Sequence, residues 1–277
     1  EAMRKRWLPM AAAGDALFCI GISETEAGSA VNNMRAKLTP DGDGFRISGA
    51  KVWSTMAHVS DYLLLLATTD RDAEKPSRGK TLFLVDAKAD GVVARAIPKL
   101  GMRCVGSCEV ALDNVYVPGT HVIGEVNKGW NHILTTLNNE RILVAALATG
   151  VLRGVIEESV KYATEREAFG KKIGQFQVIS HWIADMQMRL MQAELMTYKS
   201  AWLYDNDQPC HIESSAAKAI ASEYATEAAD RGIQILGGYG YSAEYQMQRY
   251  WRDAHEKARG ALVPCHLPMQ DHDIAHT

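Results

Sequence analysis

The sequence predicts an α+β, multidomain fold, an antiparallel β-sandwich or barrel domain followed by a C-terminal bundle of α-helices. Six short runs rich in β-branched and aromatic residues, separated by turn signals, fill the first 118 residues with no helical run between them. From about residue 127 the strand signals stop, and apolar residues recur every three or four positions through a proline-free stretch from 129 to 165. The glycine fingerprint of a dinucleotide fold is absent, which argues against a doubly wound parallel sheet.

The runs come in order at 16–23, 45–53, 62–69, 81–87, 92–98 and 108–118. The turns between them are Pro40-Asp41-Gly42-Asp43-Gly44, Ser48-Gly49, Pro76-Ser77-Arg78-Gly79 and Asp90-Gly91. The first helix spans 129–165, and at 1.5 Å per residue it is about 55 Å long. REAFGKKIG at 166–174 breaks it, a second helix covers 175–205, and Asp205-Asn206-Asp207-Gln208-Pro209 turns the chain. An alanine-rich third helix runs from Ser214 to Leu236, Gly237-Gly238-Tyr239-Gly240 ends it, and a shorter helix follows from about Ala243. Helices this long with brief connections pack antiparallel. The border between a β domain (1–122) and a helical domain (123–277) falls at the change of period.

The 277 residues carry 30 Lys+Arg against 33 Asp+Glu, a net charge of −3, with 47% hydrophobic and 23% charged residues. This balance excludes a disordered chain and a protein that holds nucleic acid through a basic surface. No apolar stretch reaches the roughly 18 residues of a membrane-crossing helix, so no membrane partner is expected. Five scattered cysteines do not make a disulfide framework. Cys104 and Cys108 lack a second ligand pair, so no metal site is expected. A reducing, cytoplasmic setting follows from the cysteine usage. The chain opens Glu-Ala-Met-Arg rather than at a start codon, so a longer protein and a mitochondrial matrix location stay open.

Stepping along the first helix through 133, 137, 140, 144, 147 and 151 stays on one apolar face, and position 140 on it is Glu140. A carboxylate there loses solvation, its pKa rises, and it becomes a general base if a substrate lies opposite. The same spacing also fits a bundle-edge residue or a structural ion pair. Arg141 lies about 100° around the helix and addresses a different direction.

Six segments in order and at these separations resemble the acyl-CoA dehydrogenase family of flavoproteins: SETEAGSA (23–30), KVWST (51–55), NNERILVAA (138–146), REAFGKKIGQFQ (166–177), QILGGYGY (234–241) and RYWRDA (249–254). The likeness runs from about Trp7 to Asp253. It implies a middle β domain, a C-terminal four-helix bundle, and assembly as a homodimer or tetramer. Family members also carry a helical domain in front, of which 1–13 reads as a remnant. The chain is then either a fragment or a natural short form.

The resemblance also implies FAD. Ile20, Ile22 and Ser23 match the strand end at the flavin ring edge, and Trp53 and Thr55 match the aromatic and hydroxyl beside the ring. Arg166 matches the arginine that reaches the pyrophosphate of a neighbouring subunit's FAD, with Phe169, Phe176 and Gln177 nearby in the pattern. Gln234, Gly237 and Gly238 match the segment under the adenosine end, where glycine admits close approach. For acyl-CoA, Ser29 and Arg141 match CoA contacts, and Asn138 stands where the family often has Asp. Thr25 and Ala30 replace the usual Pro and Asp of the first segment.

The family's usual glutamate base, counted from Arg252-Asp253, falls near Ala261 in GALVPCH, which holds no carboxylate. Some members instead place the base just before the helix arginine, and Glu140-Arg141 fits that pattern. The expected reaction is α,β-dehydrogenation of an acyl-CoA thioester, with an electron-transfer flavoprotein as acceptor. Two alternatives stay open: a catalytically degenerate partner subunit of a heteromeric enzyme, which the missing front domain and the His266, His272 and His276 tail favour, and a flavin-dependent oxidase or monooxygenase.

Overall fold

The computed structural model describes residues 2–28, 30 and 33–259. The chain divides into two compact units, residues up to 99 with 103–135, and residues 100–102 with those from 136 onward. The division falls inside the long helix rather than at 122/123, its first turns grouping with the β unit.

In the first unit, α1 (Ala2–Ala13) precedes β1 (Phe18–Gly21), β2 (Lys37–Asp41), β3 (Gly44–Thr55), β4 (Tyr62–Thr68), β5 (Lys80–Asp86), β6 (Val92–Ala96), β7 (Ser107–Pro118) and β8 (Val122–Ile123). The strands form two four-stranded sheets, ordered β1-β4-β5-β8 and β2-β3-β7-β6. Alternating residues of β7 point inward: Cys108, Val110 and Leu112 are buried while Glu109, Ala111 and Asp113 are exposed. The phase slips at Asn114, a left-handed residue with φ 51°, and resumes with Val115 and Val117 buried. These side chains meet Leu63, Leu65, Phe83 and Val85 of the other sheet in one core, with Phe45 and Phe83 in edge contact at 5.4 Å. Each such aliphatic or aromatic side chain contributes about 1.5–3 kcal/mol by leaving water. Trp7 anchors α1 to the sheet, its ring 4.4 Å from that of Tyr62.

In this unit two strands escape sequence reading, and one pairing differs in sense. β2 contains Pro40 and Asp41, which read as a turn; it lies at a sheet edge, where proline's missing donor costs nothing. β8 has two residues and no period. β1 pairs with β4 in parallel rather than antiparallel, through Phe18↔Tyr62 to Gly21↔Leu65.

The second unit holds most of α2 (Gly129–Glu165), then a small hairpin of β9 (Glu167–Ala168) and β10 (Lys171–Lys172). α3 (Gln177–Asp205), α4 (His211–Leu236), the short α5 (Gly238–Tyr241) and α6 (Met247–Arg259) complete it. Among the described residues, α2, α3, α4 and α6 supply the core, as a four-helix bundle requires. That core is built on small side chains: Ala217, Ala221, Ala225, Ala228 and Ala229 of α4 are fully or almost fully buried.

The face of α2 must be corrected. Ile133 and Leu137 are buried as expected, but Leu147 on the same line is 44% exposed. Beyond Glu140 the buried line is Ala145, Ala148, Leu152, Val155, Ser159 and Ala163. Ala145 and Ala148 of α2 join the same core as the α4 alanines, whereas the larger Leu143 and Leu147 are exposed.

Candidate functional site

In the β unit, the end of β1 and the bulged part of β3 come together. Ile20 is half-buried, Ile22 and Ser23 are buried, and the Ser23 carbonyl accepts the Val52 N–H at 2.9 Å. The next residue along β3 is Trp53. Between the pairs Lys51↔Val110 and Ser54↔Cys108, β3 advances three residues against two on β7, and Trp53 takes φ 63° in that bulge. The bulge leaves the indole 54% exposed on a strand whose neighbours Lys51 and Ser54 are buried. Thr55 is exposed two residues on. The structure thus groups Ile22, Ser23 and Trp53 on adjoining backbone. Ser29 lies outside the described residues.

Sequence reading missed what holds this group. The Lys51 ammonium, with a side chain fully buried, sits 2.8 Å from Glu24 Oε1 and donates to the Ile22 carbonyl at 3.0 Å. The Glu24 carboxylate also accepts the N–H groups of Arg35 (2.6 Å) and Ala36 (3.2 Å). Burial would push the Glu24 carboxyl up, but Lys51 and the two N–H groups hold it below the usual carboxylate range. Burial likewise depresses Lys51, with Glu24 opposing. Only a buried Lys two residues before the Trp, with a Glu after the strand, hints at the pair in sequence.

In the helical unit, a groove of about 580 Å³ is lined by Tyr162, Arg166, Ile179, Gly237, Gly238 and Tyr239 among others. It joins two segments predicted to meet the cofactor. Gly237 has φ 59° and ψ −134°, a conformation open to glycine alone, and its N–H donates to the Gln234 carbonyl at 3.2 Å. Arg166 is exposed, and among the described residues its guanidinium has no ion-pair partner. Tyr162, Tyr239 and Tyr245 cluster at ring distances of 5.2–6.5 Å, an aromatic wall that no sequence period announced. Phe169, Phe176, Gln177 and Gln234 do not line the groove. Phe169 and Gly170 are the positive-φ pair of the β9–β10 turn, and Phe169 is 96% exposed. Its ring meets that of half-buried Phe176 edge-on at 6.2 Å, and Lys171 caps Phe176 at 4.2 Å. Gln177 and Gln234 are exposed, at the start of α3 and in the last turn of α4.

Further along α2, Asn138 Oδ1 accepts an Arg141 N–H at 3.1 Å and lies 3.5 Å from Ser214 Oγ. Glu140 is half-buried, and burial raises its carboxyl, with the Arg141 charge pulling the other way. Its carboxylate has no hydrogen-bond or ion-pair partner among the described residues. On α6, Asp253 accepts the Met102 N–H at 2.7 Å. Ala261 and the histidines at 266, 272 and 276 lie outside the described residues.

Residues 19–115 match the acyl-CoA dehydrogenase middle-domain family and residues 127–257 its C-terminal domain family. The chain belongs to the acyl-CoA dehydrogenase family. It is 36% identical over 254 residues to the caffeyl-CoA reductase-Etf complex subunit CarC of Acetobacterium woodii, covering 91% of this chain and 66% of that protein. It is 36% identical over 255 residues to the bovine mitochondrial short/branched chain specific acyl-CoA dehydrogenase, covering 92% and 58%. The crystal structure of an acyl-CoA dehydrogenase from Geobacillus kaustophilus superposes with a TM-score of 0.91 at 28% identity, over 94% of this chain and 68% of that one. The chain thus spans about three fifths to two thirds of the length of these relatives.

Members of the acyl-CoA dehydrogenase family are FAD-dependent. The residues of this chain fit that group. Arg166, a fixed cation without a partner among the described residues, borders a groove whose floor includes a glycine-only backbone, the chemistry a diphosphate needs. The exposed Trp53 indole offers a flat aromatic face beside Ser23, whose hydroxyl has no partner among the described residues.

Proposed function

We propose that this chain catalyses FAD-dependent α,β-dehydrogenation of an acyl-CoA thioester to the trans-2-enoyl-CoA, with Glu140 as the base that removes the α-proton. The observation that supports it above all is an unpartnered, half-buried carboxylate on α2 whose proton affinity burial raises. A thioester α-proton is too weakly acidic for an ordinary solvated carboxylate, and a desolvated one is a stronger base. FAD, when bound, supplies the acceptor for the β-hydride. Ile20, Ile22, Ser23, Trp53 and Thr55 serve its ring end, while Arg166, Gly237 and Gly238 serve the diphosphate and adenosine end of a neighbouring subunit's FAD, with Phe169, Phe176, Gln177 and Gln234 assigned to the same end by the family pattern alone. Arg141, Asn138 and Ser29 serve the CoA portion, Arg141 by its permanent charge and Asn138 by an amide that both donates and accepts. Electrons pass on to an electron-transfer flavoprotein, a reading supported by the Etf complex in which the similar CarC is a subunit.

The test is anaerobic titration of the purified yellow protein with acyl-CoA thioesters. The wild type bleaches; Glu140→Gln stays yellow and does not bleach, its reduction rate falling by about 10²-fold or more. Undiminished bleaching in Glu140→Gln sinks the assignment. A colourless protein that co-purifies with a related chain favours the degenerate-partner reading, and rapid reoxidation in air favours an oxidase.

A further inference from the structure

Residues 23–28 follow β1, residues 34–36 lie beside Glu24, and one buried ammonium reaches both stretches. Lys51 Nζ reaches the Ile22 carbonyl at 3.0 Å and Glu24 Oε1 at 2.8 Å, with Met34 Sδ at 3.9 Å. The three protons of an ammonium are thereby all directed, two to oxygen and one to a soft sulfur. Through Glu24 the same charge reaches the second stretch, because the carboxylate takes the Arg35 and Ala36 N–H groups. The first stretch is sewn to β3 by the Val52 N–H on the Ser23 carbonyl. A reciprocal pair of hydrogen bonds between Glu24 and Ala27, at 3.1 and 3.0 Å, folds the turn between. Lys51 and Val52 immediately precede Trp53 in the β3 bulge. One side chain therefore ties together the two segments that the FAD reading assigns to the ring, the β1 end and the bulged indole.

We propose that Lys51 and Glu24 are positioning residues for the flavin: their buried pair fixes the spacing between the Ile22-Ser23 backbone and Trp53 before cofactor arrives. The proposal rests on the FAD reading above. Neither residue touches the reacting atoms; both act through Ile22, Ser23 and Trp53. A buried pair broken on one side leaves an uncompensated charge and threatens the fold, whereas removing both charges together spares it. The informative variant is therefore the double substitution Glu24→Gln with Lys51→Met, made in the full chain.

Three quantities are measured: the unfolding midpoint of the apoprotein, the FAD dissociation constant by fluorescence, and the visible circular dichroism of bound flavin. The expected result is a near-wild-type midpoint, FAD affinity weaker by about tenfold or more, the size typical of losing a supporting shell, and an altered flavin dichroism. A double variant that binds FAD with wild-type affinity and dichroism overturns the proposal while leaving the FAD reading intact. A wild-type chain that takes up no FAD overturns both. Hydrogen exchange on the wild-type apoprotein tests the preformed clamp without any variant. The Arg35, Ala36 and Val52 amides should exchange as slowly as those in the middle of β4; exchange at exposed-loop rates overturns the proposal.

Discussion

At Glu140 catalysis and stability pull against each other. Burial raises its folded-state pKa, so between the unfolded and folded values the native state holds more protons than the unfolded chain. Its contribution to stability is complete below the unfolded value and is lost as pH rises through the folded one. Glu140→Gln should therefore raise the unfolding midpoint at pH 8 and have little effect at pH 4, a difference that thermal melts at the two pH values measure. An equal shift at both would show that the carboxylate is well solvated. Glu140 stands out in sequence as one acid on an expected apolar helix face, although the buried line of α2 runs instead through Ala145 and Ala148, and Arg166 stands out as a charged loop residue in a family motif. The Lys51–Glu24 pair was not legible there, since only the packing of the β1 end against β3 brings the two side chains together.

Within β5 a second charge is buried without full compensation. Lys80 is 1% exposed on a strand whose next five residues are all buried, and burial depresses its amine, opposed by Glu24. Glu24 raises both the Lys51 and the Lys80 amine, while the Lys80 charge lowers that of Lys51. A lysine with a depressed folded pKa takes up more protons unfolded than folded, so stability rises with pH through that window. Lys80→Met should raise the midpoint at pH 7 by about 2–4 °C, the equivalent of about 1 kcal/mol, and the gain should shrink toward pH 10.5. A gain constant across that range would show that the amine reaches water. Strand β5 itself was readable from its short apolar run, whereas edge strand β2 was hidden by its proline and β8 by its brevity. The phase of α2 misled for a related reason: the eye follows Leu, but the core follows the alanines that allow close approach.

Taken as one object, the bundle leaves an apolar line in water. Met188, Met191, Leu195, Tyr198 and Trp202 of α3, spaced three and four apart, are each 55–71% exposed. This spacing keeps them on one face, the pattern of a seam between helices. We infer that a second copy of the chain covers this seam by two-fold symmetry, in line with the homodimer or tetramer that the family resemblance implies. Leu195→Asp should lower the solution mass, measured by sedimentation, to that of a single chain, while far-ultraviolet dichroism stays unchanged. An unaltered assembly would move the interface elsewhere.

By itself the sequence determined the change from strands to helices near residue 127, the helix limits to within a few residues, and the family motifs, because each rests on local period or on residue types close together in the chain. Only the tertiary structure decided which face of α2 is core, that β1 joins β4 in parallel, that Arg166 and Gly237 share one groove, and that Lys51 clasps Glu24. These depend on how closely distant segments approach and on which buried charges find partners, quantities that sequence neighbours do not set.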